Sequence, residues 1–440
     1  TGVDGRLRIK VGAFYSDLTR KTVNSYGVIG LPYDLSALPE ALAAIVPNFY
    51  PLASLSSYRR DLRSKAIYSQ WSFDITETLT ASLGARYTWD KGNYVATNRT
   101  GLGLANVQQY LGQSGTEATG VPCAAGLANY KNFDPVACTG EQDYKTSSPS
   151  FTAVLEKEFR PGVMLYGTVR TGYLVGGFNN QVFVPGNFGQ VFKPEKVLDG
   201  EIGIKADWEL AGRPIRTNFD VFAGRYTNQQ RVQNGTTPNG TTFIAVQNAG
   251  KSHFYGTDLE ITYDIADSLQ LSASYQYIHA VYDRFQAPLN IPGVTNAYVD
   301  FKGEKLSQTP PHVVNLAATY TLPLPDEYGK LSATATYFWR STTTGHDAPT
   351  VSGTVLPSGE LESVVIDFTQ YDKLPSYGLV NLSFNWDRIM GSAFDLRFWV
   401  KNLTNKKYAV YQSNQMLQYG YATYNFGNPR EIGVNARYTF

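Results

Sequence analysis

Alternation of apolar and polar residues restricts the fold of this chain more than any other feature. In REIGVNARYTF, residues 430–440, one parity is apolar from Ile432 onwards and the other carries only polar residues and glycine. The apolar parity consists of Ile432, Val434, Ala436, Tyr438 and Phe440. Because a β-strand sends successive side chains to opposite faces, this segment predicts a strand with one apolar and one polar face.

About fourteen such segments run along the chain of 440 residues. They lie at 6–16, 64–75, 79–90, 150–159, 163–174, 198–208, 215–226, 254–264, 269–280, 312–322, 331–340, 378–386, 394–404 and 430–440. Their length, about ten residues, and their period of two are those of transmembrane β-strands. Helical spacing competes only at 36–46, where we expect a short loop helix. No apolar run approaches the roughly 18 residues that a membrane-spanning helix needs.

The connections between these segments alternate between short and long. Short ones lie at 74–78, 157–162, 207–214, 264–268, 322–329 and 386–392, and long ones at 19–62, 91–148, 175–195, 227–253, 281–311, 341–377 and 405–429. Outer-membrane β-barrels have short turns on one side and long loops on the other. A soluble all-β fold, the alternative, has no reason to keep this order over seven hairpins. We therefore predict an all-β fold, an antiparallel transmembrane β-barrel.

The strands should sort their side chains between lipid and barrel interior. Leu83, Ala85, Ile202, Ile204, Val434 and Ala436 are expected to contact the bilayer, and Arg86, Lys205, Asn435 and Arg437 to face the interior. A charge on the lipid side near the midplane costs roughly 2–4 kcal/mol, so this sorting is not easily reversed.

The positions of four tryptophans also support strands that cross a membrane. Trp208 and Trp386 lie beside short turns, and Trp89 and Trp339 lie near long loops, which matches two interfacial aromatic girdles. Trp399 shares its parity with Arg397 and Lys401 and should face inward.

Composition and motifs favour neither a nucleic-acid-binding protein nor an enzyme. The 38 Lys and Arg residues against 37 Asp and Glu leave no basic field for nucleic acid. AVQNAGKS, at 245–252, resembles a phosphate loop, but a strand pattern and not a helix follows it. The histidines at 253, 279, 312 and 346 have no partner at metal-ligand spacing, so we expect them in the lumen or in loops. Strand carboxylates, such as Asp220 and Glu260, are expected to line the wall. We therefore expect no catalytic residues, no cofactor and no metal.

Four motifs, in order along the chain, resemble the C-terminal strands of TonB-dependent outer-membrane receptors. TGYLVGGFNN, at 171–180, resembles a Gly-Gly-Phe-Asn loop start found in part of that family. FKPEKVLDGEIGIK matches through Pro194, Glu195, Glu201, Gly203 and Lys205, and NAGKSHFYGTDLEITYDI through Asn248, Ala249, Gly250, Gly256, Asp258 and Glu260. The final 45 residues match through Asn402, Leu403, Lys407, Tyr408, Gly427, Pro429, Arg430, Gly433, Arg437 and Phe440.

The resemblance implies a function and a location. Such receptors lie in the Gram-negative outer membrane and take up a scarce small solute, such as a ferric siderophore, with energy from the TonB system. Membrane lipid and the outer-membrane assembly machinery are the other expected partners. That machinery is expected to recognise the last strand, with its stripe from Ile432 to Phe440.

The resemblance also predicts that residues 1–440 are the C-terminal part of a larger barrel. Family members have an N-terminal plug domain and 22 strands, whereas this chain supplies about fourteen. The plug, the signal peptide and the first strands are therefore expected to lie outside it. The strands at 6–16 and 430–440 should then not pair with each other. A complete fourteen-stranded passive channel or structural barrel is the alternative.

Aromatic residues near long loops are the candidate ligand contacts. They are Tyr173, Phe178, Tyr411, Tyr419, Tyr421 and Tyr424. Tyrosine gives amphipathic contact area at low entropic cost, although it also fills interfacial belts. Cys123 and Cys138, the only cysteines, share the loop at 91–148, and an oxidising outer surface predicts a disulfide between them that limits the mobility of the loop.

Overall fold

In the computed structural model, the described residues are 5–28, 52–102, 131–179, 191–236, 242–291, 294–345, 351–355, 361–366, 372–415 and 421–440. Fourteen strands follow one another in chain order in one antiparallel sheet. They are β1 (Leu7–Val28), β2 (Leu52–Thr76), β3 (Leu79–Leu102), β4 (Thr139–Arg160), β5 (Val163–Leu174), β6 (Glu195–Leu210), β7 (Arg213–Thr236), β8 (Thr242–Ala266), β9 (Leu269–Arg284), β10 (His312–Thr321), β11 (Lys330–Arg340), β12 (Tyr377–Asp387), β13 (Phe394–Lys401) and β14 (Glu431–Tyr438). A short strand at Lys131–Asp134 also pairs with β4.

Each predicted segment lies within or overlaps one of these strands, but several strands are longer than predicted. β1 and β2 pair in unbroken register from Leu7 opposite Phe73 to Val28 opposite Leu52. A length near ten residues is therefore wrong for β1, β2 and β3, which have 22, 25 and 24 residues. The alternation fades where both faces of a strand become polar, while the backbone hydrogen bonds of the ladder continue. The loop helix predicted at 36–46 lies outside the described residues.

Short turns and long loops lie at opposite ends of the sheet. Four connections, including those after β2 and β6, contain only two residues. In the turn after β6, Ala211 and Gly212 both have positive φ, of 55° and 72°, as a two-residue type I′ hairpin turn requires. We call this side the turn end and the opposite side the loop end. Small hairpins extend from the loop end, among them Ala409–Gln415 paired with Tyr421–Phe426. No helix among the described residues is long and apolar enough to cross a membrane.

The two faces of the sheet differ as predicted. Leu83, Ile202 and Val434 are 63%, 60% and 64% exposed on an apolar outer face. On the opposite, inner face, Asp90 is buried and Arg86 donates a hydrogen bond from Nε to Thr88 Oγ1 at 3.1 Å. The predicted separation of apolar and polar side chains between the two faces is confirmed, and contact of the outer face with the bilayer remains a prediction.

Trp399 faces inward, as expected from its parity. Its Nε1 donates to Asn435 Oδ1 at 2.7 Å, and Lys401 Nζ lies 4.9 Å from the ring centre. The indole therefore belongs to the polar side of β13 and not to an interfacial girdle.

The sheet ends on β1 at one side and on β14 at the other. β1 pairs with β2, and β14 pairs with β13. No ladder joins β1 to β14 within the described ranges, which agrees with the prediction that these two strands do not pair.

Candidate functional site

The middle of the inner face carries a charged row across β5 to β8. Arg170 binds two carboxylates of β6, with Nε 2.6 Å from Asp199 Oδ1 and a terminal nitrogen 3.1 Å from Glu201 Oε2. Tyr166 also donates its hydroxyl to Glu201 Oε1 at 2.6 Å. On the next two strands, β7 and β8, Asp220 and Asp258 lie directly opposite each other in register. The row is therefore a polar wall with more acidic than basic groups, as the sequence predicted for its carboxylates.

Tyr173 and Phe178 lie together near the loop ends of β3 to β5. The Tyr173 hydroxyl donates to Asp90 Oδ2 at 2.7 Å. Phe178 is only 5% exposed, and its ring centre lies 5.4 Å from that of Tyr94 and 5.0 Å from that of Tyr144. These contacts fix the position of both predicted residues, with Phe178 packed inside a cluster and Tyr173 held at its margin.

The other predicted contacts lie on the last loop hairpin. Tyr411 and Tyr424 are 37% and 38% exposed, on the two strands of the hairpin. Tyr421 pairs through its backbone with Gln415, and its side chain is not described, whereas Tyr419 lies outside the described residues. Among the described side chains, no contact joins this hairpin to Tyr173 or Phe178. The predicted set is thus divided between two regions of the loop end.

Residues of the recognised motifs hold the loop end in place. Asn402 is buried with φ of 49°, and its amide nitrogen donates to the carbonyls of Lys406 and Asn428 at 2.9 and 3.1 Å. Asn248 donates to the carbonyls of Lys193 and Asn228 at 2.8 and 2.9 Å. Both asparagines tie the backbone of a loop to a strand end. Their role is therefore positional.

Sequence reasoning missed Arg340, a buried cation on the inner face. Its guanidinium lies 4.6 Å from the ring centre of Tyr377, and it donates to the carbonyl of Ala409 at 3.2 Å. The arginine thereby connects the loop end of β11 to the base of the last hairpin. A single arginine at a strand end produces no periodic pattern in the sequence, so this contact could be identified only from the fold.

A turn in the long loop before β4 carries Cys138. Asp134 Oδ1 accepts the backbone N–H groups of Ala137 at 3.0 Å and Val136 at 2.7 Å, and these hydrogen bonds hold the pKa of Asp134 below its usual range. Cys138 is fully buried and is not a free thiol. Its predicted partner Cys123 lies outside the described residues, so the pairing of the two remains a prediction.

The described histidines lie on the outer face near the loop end, and the expectation of lumen or loop positions is wrong for them. His253 Nδ1 lies 2.6 Å from Asp283 Oδ1, and His312 Nδ1 lies 2.9 Å from the Tyr275 hydroxyl. His279 stacks on Tyr255, with ring centres 4.9 Å apart. His346 lies outside the described residues. No group of three or more metal-ligating side chains occurs in the part of the chain that the structure describes.

The phosphate-loop resemblance at 245–252 has no structural counterpart. This segment is part of the continuous strand β8, paired with β7 from Ile215 opposite Tyr263 to Thr236 opposite Thr242. Because a phosphate loop needs a helix after it, this segment cannot cradle phosphate in that way.

The model of one known protein family matches most of the chain. Residues 3–403 match the model of the family described as TonB dependent receptor-like, beta-barrel. The chain belongs to the TonB-dependent receptor family. This chain is therefore an antiparallel β-barrel segment of the Gram-negative outer membrane.

Solved structures of receptors share this fold at low sequence identity. The ferric yersiniabactin uptake receptor FyuA from Yersinia pestis superposes with a TM-score of 0.67 at 14% identity, covering 100% of this chain and 52% of FyuA. The siderophore receptor PiuA from Acinetobacter baumannii gives 0.62 at 15% identity, covering 99% and 53%. The copper transporter OprC gives 0.52 at 12% identity, covering 98% and 63%. The chain thus spans about half the length of the first two receptors. A search of curated protein sequences found no match.

Proposed function

We propose that this chain supplies the later strands of a TonB-energised outer-membrane receptor that takes up a scarce small solute. The observation that carries the proposal is the family match over residues 3–403. The chain corresponds to about half of FyuA and PiuA, so the plug and the first strands are proposed to belong to a longer polypeptide. In that polypeptide, the polar inner face described above would line the route of the solute.

A ferric siderophore is the proposed solute. FyuA and PiuA are described as a ferric yersiniabactin uptake receptor and a siderophore receptor. Support from this chain itself comes from the last hairpin, where Tyr411 and Tyr424 are exposed and Lys407 Nζ lies 4.6 Å from the ring centre of Phe426. Exposed aromatic and cationic groups suit a ligand with aromatic rings or anionic oxygen atoms.

Energised uptake distinguishes this proposal from the alternative of a passive channel. The complete gene would be expressed in an iron-limited host that lacks its other siderophore receptors. Accumulation of radioactive iron from a panel of ferric siderophores would then be measured with and without TonB. We expect accumulation of at least one chelate that disappears when TonB is deleted. Accumulation that is independent of TonB would support a passive channel.

The last hairpin gives a residue-level test of the binding surface. We expect the double substitution Tyr411→Ala and Tyr424→Ala to weaken binding of the transported chelate by roughly tenfold or more, because tyrosine is among the residue types enriched at binding hot spots. The control is Tyr320→Ala with Tyr328→Ala, a pair that is 44% exposed at the turn end. Equal affinities of the two double variants, measured on whole cells, would exclude the hairpin as the contact surface.

A further inference from the structure

A cavity of about 520 Å³ opens on the outer face near the loop ends of β9, β10 and β11. Its walls include Tyr277 and His279 of β9, His312 of β10, Trp339 of β11 and Lys305 of the preceding connection. No Asp or Glu is among its described lining residues. The cavity therefore combines cationic and aromatic groups without a competing carboxylate.

Strand register shows that this cavity lies on the apolar outer face of the sheet. Tyr277 lies opposite His312, and Val314 lies opposite both Tyr275 and Trp339. Leu316, two residues along β10 from Val314, is 45% exposed on the same face. The cavity is thus at the upper border of the apolar belt and not in the lumen.

Two hydroxyl groups in the cavity each accept a backbone hydrogen bond and can therefore donate one to a ligand. Ser341 Oγ accepts the backbone N–H of His312 at 3.0 Å, and Thr342 Oγ1 accepts that of Ser376 at 3.1 Å. Each hydroxyl keeps its own proton for a further acceptor. The exposed Lys305 ammonium has no ion pair within the described ranges, and His312 uses only Nδ1, for Tyr275. These groups together suit an anion with several oxygen atoms, such as a phosphate.

Nearer the turn end, the same three strands line an apolar groove of about 470 Å³, together with Ile261 and Tyr263 of β8 and Val380 of β12. Ala273, Ala318 and Ala335 form its floor, and Leu271, Leu316 and Tyr337 stand at its sides. Two residues along a strand correspond to about 7 Å, so the groove continues from Trp339 through Tyr337 to Ala335 towards the turn end. Small side chains between large ones leave a channel wide enough for a hydrocarbon chain.

We propose that β9, β10 and β11 bind a phosphorylated lipid of the outer leaflet. Its headgroup phosphate lies in the cavity beside Lys305 and His312, and one acyl chain lies in the alanine-floored groove. The order of the two compartments, polar at the loop end and apolar towards the midplane, matches the orientation of a lipid in that leaflet. A free phosphate would leave the groove unused, and a neutral lipid would leave the cationic cavity unused.

The test uses the full-length receptor, purified in detergent and examined by native mass spectrometry. The probes are a lipid A bearing phosphates, the same lipid after enzymatic dephosphorylation, and inorganic phosphate alone. We expect one phosphorylated lipid to be retained per receptor and the dephosphorylated lipid to be retained roughly tenfold less, as the loss of one charge-assisted contact implies. Millimolar inorganic phosphate should not displace the retained lipid.

Two substitutions separate the compartments. Lys305→Gln should reduce retention of the phosphorylated lipid only, and Ala318→Phe should reduce retention of both lipids by filling the groove. The matched controls are Lys330→Gln, an exposed lysine at the turn end, and Ala223→Phe, an exposed alanine of the outer face on β7. Equal retention of the two lipids, displacement by inorganic phosphate, or equal losses in the control variants would overturn the proposal. If Lys305→Gln fails to fold, His312→Gln gives the same test.

Discussion

Aromatic rings of the inner face lie across glycines of the neighbouring strand. A Cβ atom added at Gly433 would lie 2.3 Å from Cζ2 of Trp399, and one added at Gly203 would lie 2.6 Å from Cζ of Tyr166. Contacts this close are possible only because glycine has no side chain. Cross-strand pairs of this kind fix the register of a sheet. Both glycines belong to the motifs that resemble the receptor family, so their recurrence there has a packing reason.

We expect Gly433→Ala to destabilise the barrel by about 1–3 kcal/mol, because the indole of Trp399 must move and would lose its hydrogen bond to Asn435. Gly84→Ala is the matched control, since its Cβ would meet nothing closer than Thr152 Cβ at 3.8 Å. The measurement is the urea midpoint of unfolding of the full-length receptor in detergent. Equal midpoints for the two variants would show that the ring tolerates the methyl group.

Asn402 offers a second test at the scale of one residue. Its side chain also accepts the backbone N–H of Lys406 at 2.8 Å, so Asn402→Ala would leave three backbone groups, at Lys406 and Asn428, without this partner. We expect a loss of about 1–3 kcal/mol in stability and faster proteolysis between β13 and the last hairpin. Asn385→Ala, at a position with no side-chain hydrogen bond among the described residues, should leave both quantities unchanged.

At the scale of elements, the sequence predicts what the membrane imposes and little else. Alternation located β5 within a residue of its observed bounds, because one of its faces must be apolar and the other polar. The outer parts of β2 and β7 carry no such constraint, so no periodicity marked their extension. The division of the aromatic set between Phe178 and Tyr411 was also beyond prediction, since it depends on how each loop folds back. The sequence could predict only on which face of the sheet each strand residue lies, where the motifs lie and how long the turns are.

Successive side chains of β3 point to opposite faces of the sheet, and this alternation leads to a prediction about membrane insertion. Leu83→Arg would place a charge on the lipid face of β3, about five residues from the turn, at a cost of roughly 2–4 kcal/mol. Ser82→Arg would direct the same side chain into the lumen, beside Ser72. We expect the amount of folded receptor in the outer membrane to fall for Leu83→Arg only. Similar losses for both variants would contradict the assignment of the two faces.

The turn before β4 should respond to pH through Asp134. Its pKa is lowered in the folded turn by the N–H groups of Ala137 and Val136, so the stabilisation is present above the unfolded pKa and is lost as pH falls through the folded one. We expect amide exchange of residues 136–138, corrected for its intrinsic pH dependence, to show less protection in acid than at neutral pH. In Asp134→Asn this difference should be absent. An unchanged pH response in that variant would assign the effect to another group.

On the scale of the whole molecule, the two edges of the sheet decide between the competing architectures. Unpaired backbone groups in lipid cost several kcal/mol each, so β1 and β14 must each have a neighbour. In a fourteen-stranded channel they would neighbour each other. In a wider receptor barrel, strands from the longer polypeptide would separate them. The absence of a β1–β14 ladder within the described ranges favours the wider barrel, as does the family match.

Disulfide cross-linking in the full-length receptor tests this choice. In a background with Cys123→Ser and Cys138→Ser, cysteines would replace Phe398 and Val434, which face each other between β13 and β14. We expect this pair to cross-link under mild oxidation. Cysteines at Ile9, Val11 or Ala13 of β1, each combined with Val434→Cys, should not cross-link, because intervening strands would hold them far beyond the 7 Å between Cα atoms that a disulfide tolerates. Efficient cross-linking of any of these β1–β14 pairs would establish direct closure and with it the fourteen-stranded channel.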